Sequence, residues 1–162
     1  MQNNVELNVF TDEIFEVLAG AKPNAMAKIR GRNSYPLIRG FAHFYDTSLG
    51  CLCMVLVQNL PLSSPFLGLH IHEKGVCEGD FGSAGAHFGE GRHPHHKGDL
   101  PPLLNSNGYA YAMFLDSNFT TDEIIGRAIV VHSMRDDFES QPAGDSGSRI
   151  ACGVIKSTAR RA

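Results

Sequence analysis

Ile38-Arg39-Gly40-Phe41-Ala42-His43-Phe44 alternates along its length, and after a short gap Cys51-Leu52-Cys53-Met54-Val55-Leu56-Val57 runs almost continuously apolar between Gly50 and Pro61. Short runs of this kind, bounded by turn residues, are strands. Working outward, Ala25-Met26-Ala27-Lys28-Ile29-Arg30 alternates ahead of a Gly31-Arg32-Asn33 turn, and Leu67-Gly68-Leu69-His70-Ile71-His72 follows downstream. Further on, Leu103 to Asn105 offers a brief strand, and Asn107-Gly108 is a hairpin signal. Tyr109 to Leu115 alternates, Ile124 to His132 is apolar, and Ile150 to Ile155 ends the pattern as a buried strand. The fold class this predicts is all-β, a sandwich or barrel.

The chain has 162 residues, one domain's worth, with 43% apolar and 19% charged residues. Its net charge of −3 supplies no global positive field, so the expectation is no nucleic acid partner. No run of eighteen apolar residues exists, so no membrane span is expected. Residues 1–24 read as an N-terminal extension, either mobile or carrying a short helix that Thr11 would cap and Gly20 and Pro23 would end. The domain proper is then 25–162. The N-terminus lacks a basic segment before its apolar residues, which predicts a cytoplasmic location, or a periplasmic or secreted one if processing has already occurred. Four cysteines are too few for a disulfide scaffold, and none are spaced C-x-x-C.

Eight histidines stand against no tryptophan. His70 and His72 share one strand face, roughly 7 Å apart, where two imidazoles can share a metal. From Gly75 to Asn107 the strands stop, in a segment too long for a passive connection. It carries His87, His93, His95 and His96 within ten residues, then Asp99. Imidazoles with one carboxylate suit tetrahedral zinc, and spacings of three let a loop wrap an ion. A second polar loop spans Ser133 to Ser148.

The ordered blocks GLHIHEKG, SAGAHF, HPHHKGDL, IIGRAIVVHSMRDDF and GSRIACGVI resemble the signatures of the Cu/Zn superoxide dismutase family, from about residue 25 to 156. The resemblance implies an eight-stranded Greek-key β-barrel with two long functional loops. It assigns copper to His70, His72, His87 and His132, and zinc to His87, His93, His96 and Asp99, with His87 bridging the two metals. Asp136 matches the aspartate linking a zinc-ligand histidine to a copper-ligand histidine. Arg149 matches the arginine beside the copper that guides the anion. Cys152 matches one half of the family's disulfide, with Cys77 its mate. The implied activity is dismutation of superoxide to O₂ and H₂O₂, copper alternating between Cu(II) and Cu(I), with His87 and Arg149 catalytic. Superoxide is the implied substrate, and the chain a monomer or homodimer.

The sequence departs from the better-known animal members. Its zinc loop is short, with His87 and His96 nine residues apart, as in bacterial-like members, and His95 rivals His93 as the middle ligand. The second loop is also short and holds no lysine between Asp137 and Gly147, which leaves guidance to Arg149, with Lys97, Arg92 and Arg135 as possible helpers. Cys51 and Cys53 read as core-filling residues, and His43 as structural. The competing function is a non-catalytic copper or zinc binder on the same fold. A copper-delivery protein would need a thiolate site that this chain does not offer.

Overall fold

A computed structural model describes residues 2–159, with side chains described from Val9 onward; the last three residues of the 25–162 span lie outside it. Eight strands run in the order of the sequence as β1 (Ala25–Gly31), β2 (Arg39–Thr47), β3 (Gly50–Gln58), β4 (Phe66–His72), β5 (Asp99–Leu104), β6 (Tyr109–Asp116), β7 (Ala128–His132) and β8 (Arg149–Ser157). They pair antiparallel in the order β5-β4-β7-β8-β1-β2-β3-β6. The crossings from β3 to β4 and from β6 to β7 make the Greek-key pattern. The two end strands, β5 and β6, are consecutive in the chain and joined by the Asn107-Gly108 turn, so the sheet curls into a nearly closed barrel. Asn107 and Gly108 both have positive φ, 51° and 86°, as a type I′ turn requires.

Alternation explains the core. In β1, Ala25, Ala27 and Ile29 point inward while Lys28 and Arg30 are exposed. Cys51 and Cys53 are fully buried beside Val55 and Val57, as expected of small core residues. β4 differs, because Leu67 to His72 are buried on both faces. Leu67, Leu69 and Ile71 enter the barrel core, while His70 and His72 face the other way, under the two loops.

Three boundaries differ from the sequence expectation. The first helix, α1 (Gln2–Leu18), is longer than expected, so Thr11 lies inside it and does not cap it. Ile124 ends a helical turn, α2 (Thr121–Ile124), fixed by a capping box between Thr120 and Glu123, so β7 starts only at Ala128. β5 begins at Asp99 and contains Pro101 and Pro102, which a sheet tolerates because β5 is an end strand with few bonds to lose. Among the described residues, no helix is long and apolar enough to cross a membrane.

Candidate metal centre

Two imidazoles come from β4 and one from the end of β7. β4 and β7 pair His70 with Val130 and Leu69 with Val131, which sets His132 beside Gly68. Any Cβ at Gly68 would sit 2.8 Å from Ser146 and 3.4 Å from both His132 and His70. The missing side chain is therefore the space these two rings use. The fourth imidazole, His87, arrives from the loop between β4 and β5, pinned by an isolated bridge to His72 and by the Phe88 amide on the Ile71 carbonyl, 2.8 Å.

The result is a cage. Ligand-type nitrogens of His70, His72, His87 and His132 all lie within 4.8 Å of one another. The ring of His70 stands 3.9 Å from His87 and 4.7 Å from His132, and His72 lies 4.9 Å from His87. All four are buried. Burial pushes the pKa of His70 and His132 down and takes His72 to about 3, so these rings stay neutral with lone pairs free. Neutral imidazole is the form that binds metal.

A second cluster surrounds Asp99. Its Oδ1 lies 2.6 Å from His87 Nδ1 and 3.3 Å from His93 Nδ1, while its Oδ2 is 3.0 Å from His96 Nδ1. Burial alone would raise this carboxyl, but hydrogen bonds from His87 and the His96 amide outweigh it and hold it well below the carboxylate range. The tight mutual group is His70, His87, His93 and Asp99. His96 sits on the outer oxygen, beyond that group, and half a step toward solvent. His93 is buried, and His95 is exposed.

Asp136 joins the two clusters. Its Oδ2 accepts from His70 Nε2 at 2.6 Å and its Oδ1 from His93 Nε2 at 2.8 Å. Its carboxyl, too, is held low, because the bonds from His70, the Phe138 amide and His93 overcome the opposing effect of burial. With their Nε2 protons given to Asp136, His70 and His93 keep Nδ1 as the acceptor nitrogen. Both Nδ1 atoms, and His87 Nε2, are buried without any hydrogen-bond partner among the described residues. Three orphaned nitrogens in one small space would be costly in an ordinary core. Bound cations, one in each cluster, would satisfy all of them, so the donor set fits copper and zinc.

Arg149 opens β8 beside this cage. Its guanidinium donates to the Phe81 carbonyl at 2.6 Å and to the Gly85 carbonyl at 2.7 Å. The same Gly85 carbonyl accepts from His72 Nδ1 at 2.9 Å, so one oxygen fixes both the arginine and a cage imidazole. Gly85 has φ +76°, and a Cβ there would strike the Glu73 carboxylate at 2.3 Å. Cys77 and Cys152 form a disulfide that ties this loop to β8. Lys97 is paired with Glu123, which answers its charge. His43 lies on β2, with its ring 4.6 Å from Phe41, away from both clusters.

Sequence reasoning missed Gln141. Its amide oxygen accepts from the His93 backbone N–H at 3.1 Å, and its amide nitrogen donates to the His93 carbonyl at 2.7 Å. It also missed Gly144, where a Cβ would lie 2.0 Å from Asp136 and 2.6 Å from His93 Nε2. A glycine in a polar loop was the available signal, and it is a weak one.

Comparison with known proteins agrees with this geometry. Residues 38–155 match the family model for copper/zinc superoxide dismutase. Superoxide dismutase (Cu-Zn) 1 of Aquifex aeolicus is 35% identical over 135 residues, 72% of this chain and 79% of that protein. An extracellular Cu-Zn superoxide dismutase of Drosophila melanogaster is 35% identical over 136 residues, 73% of this chain and 75% of the relative. The crystal structure of a SOD-like protein from Bacillus subtilis aligns with a TM-score of 0.68 at 29% identity, covering 79% of this chain and 95% of that one. With a barrel of this topology, two joined histidine clusters and a family match over most of its length, the chain belongs to the copper/zinc superoxide dismutase family.

Proposed function

We propose that this chain dismutates superoxide, holding copper through His70, His72, His87 and His132, and zinc through His87, His93, His96 and Asp99. The observation that carries the reading is the buried four-imidazole cage with His87 belonging to both clusters. Bound copper would supply one-electron chemistry, alternating between Cu(II) and Cu(I), so that one superoxide leaves as O₂ and the next, with two protons, as H₂O₂.

The chain's own residues do the rest. Arg149 places a permanent, rigid cation beside His72, where it attracts and orients a small anion. His87 is the proton carrier, since its Nε2 has no protein partner and its Nδ1 faces Asp99. Asp136 fixes the tautomers of His70 and His93 together, so the two metal sites share one orienting group. His93, not His95, is the middle zinc ligand in this reading, because only His93 faces Asp99 and Asp136. Both loops are short in the manner of bacterial members, and guidance rests chiefly on Arg149. Residues 1–24 are an extension of the dismutase domain at 25–162.

The test is superoxide dismutation together with metal content after reconstitution with copper and zinc, beside His132→Ala. The expected result is a copper and a zinc per chain and high activity in the parent, with activity and copper lost but zinc kept in the variant. Full occupancy without activity would make the chain a metal binder only.

A further inference from the structure

His87 belongs to both clusters, and the backbone on each side of it is tied to the end of β4. Ahead of it, the Ala86 carbonyl accepts from the Glu73 amide at 2.9 Å. Behind it, Phe88 enters a closed ring of three backbone bonds, each 2.8 Å. The Phe88 amide donates to the Ile71 carbonyl, the Ile71 amide to the Gly98 carbonyl, and the Gly98 amide to the Phe88 carbonyl. Every member borders metal-cluster residues: Ile71 lies between His70 and His72, Phe88 follows His87, and Gly98 precedes Asp99. The ring is tight, since a Cβ at Gly98 would meet the Ile71 carbonyl oxygen at 2.2 Å.

Arg127 holds the two ties together. It immediately precedes β7 and is half-buried. Its guanidinium carbon lies 3.7 Å from the centre of the Phe88 ring, a stacking distance. That ring is otherwise packed into the barrel core. Arg127 Nη1 donates to the Glu73 carbonyl at 3.0 Å, and Nε donates to the Glu123 carbonyl, in α2, at 2.7 Å. No carboxylate pairs with Arg127 among the described residues, so its partners are one ring and two carbonyls. Lys97, 5.9 Å from the same ring and paired with Glu123, is the more distant cation. A planar guanidinium can stack and fork at once, which an ammonium cannot do.

We infer that Arg127 is the positioning residue of His87. By clamping Glu73 and Phe88 it fixes the backbone on both sides, so this imidazole moves only by turning about its own side-chain bonds. The inference rests on the reading of His87 as the ligand common to copper and zinc. A group that carries a proton away must return to the same place in every cycle, and a fixed backbone keeps that return within bonding geometry. Arg127 acts through Phe88 and Glu73 and bonds no cage imidazole.

The test puts Cu(II) in the four-imidazole cage and Co(II) in place of zinc. An imidazolate shared by two paramagnetic ions couples them and quenches the copper EPR signal, so the parent should be silent. In Arg127→Ala the copper signal should emerge, and dismutation by the copper–zinc form should fall about tenfold. Arg127→Lys keeps the charge but loses the stack and the fork, so it should resemble alanine. Phe88→Leu should move both readouts the same way, with the double variant no worse than Arg127→Ala alone. Ile29→Val, a buried change in β1, should lower urea stability and leave copper silent, which separates position from general softening. Should Arg127→Ala not fold, Arg127→Lys and Phe88→Leu carry the test. Copper as silent in these variants as in the parent overturns the inference and leaves the dismutase reading standing. So does parental activity in Arg127→Lys, which would make Arg127 a guiding charge, or a signal of equal size in Ile29→Val. A parent with uncoupled copper overturns the shared role of His87, and this inference with it.

Discussion

The two halves of the metal centre are built by different means. His70, His72 and His132 stand on paired strands, so backbone register fixes where each imidazole starts. His87, His93, His96 and Asp99 hang on a long loop, and only Asp99 lies at a strand's first residue. The strand half needs little beyond the β4–β7 ladder and the gap at Gly68. The loop half is held by groups reaching across from the second loop: Asp136 on the His93 ring, Gln141 on its backbone, and Gly144 leaving room for both. Imidazoles set by register should tolerate loss of an orienting side chain, and imidazoles set by a clasp should not.

Asp136→Asn breaks the comparison hardest, because it touches both halves. An amide has one acceptor oxygen and cannot take protons from both His70 and His93. Loss of such an orienting carboxylate lowers metal affinity by 10- to about 100-fold. Zinc retention against a chelator should fall near the upper end of that range, while copper, still held by strand-set His72 and His132, should fall by much less. Equal losses of both metals would show that the strand half relies on the same clasp.

The same division governs what the sequence disclosed. Alternation marked β1, β2 and β6 and apolar runs marked β3 and β7, because a strand's register is local and its pattern is visible in a few residues. The His-x-His pair on β4 was legible for the same reason. Local information failed where distant partners decide. Pro101 and Pro102 enter a strand only because β5 is an end strand; Ile124 is the other kind of case, leaving β7 through the local Thr120–Glu123 capping box, which the apolar run masked. Spacing left His93 and His95 as rivals; that His93 bonds Asp136, more than forty residues away, is a fact of the folded chain that spacing does not carry. Gln141 offered no signal, since its partner is 48 positions distant and is backbone.

Acid separates the halves by pH. In the metal-free chain, burial lowers the pKa of His70, His72 and His132, whereas the unfolded chain titrates near the ordinary histidine value. The unfolded state then binds more protons, so stability declines as pH drops below about 6.5. His72 alone, with a folded value of about 3, should remove about 2 kcal/mol by pH 5, roughly a 30-fold change in the folding equilibrium. Asp99 and Asp136 also have lowered values, but for carboxyls the loss begins only below about pH 4. Urea unfolding of the metal-free protein should therefore show a first decline from the strand half and a later one from the loop half. A flat profile between pH 7 and 5 would mean the strand imidazoles are not held neutral by burial.

Gln141→Ala gives the smallest effect and the cleanest one, because it removes a clasp without touching any ring nitrogen. Its two bonds hold the His93 N–H and carbonyl, and through them the position from which that ring reaches Asp99 and Asp136. Without them the loop gains freedom that zinc binding must then take away. Zinc affinity should drop about tenfold, the low end for lost orienting contacts. Copper affinity in the zinc-saturated protein should stay within about twofold, since neither Gln141 bond reaches a ring of the four-imidazole cage and bound zinc would hold His93 in place. Gln141→Glu sharpens the result: its carboxylate still accepts from the His93 amide but offers nothing to the carbonyl, so it should fall between parent and alanine. The measurement is competition for zinc with a chromophoric chelator, repeated for copper. Unchanged zinc affinity in Gln141→Ala would mean that Asp99 and Asp136 position His93 unaided, and that the loop half is as firmly set as the strand half.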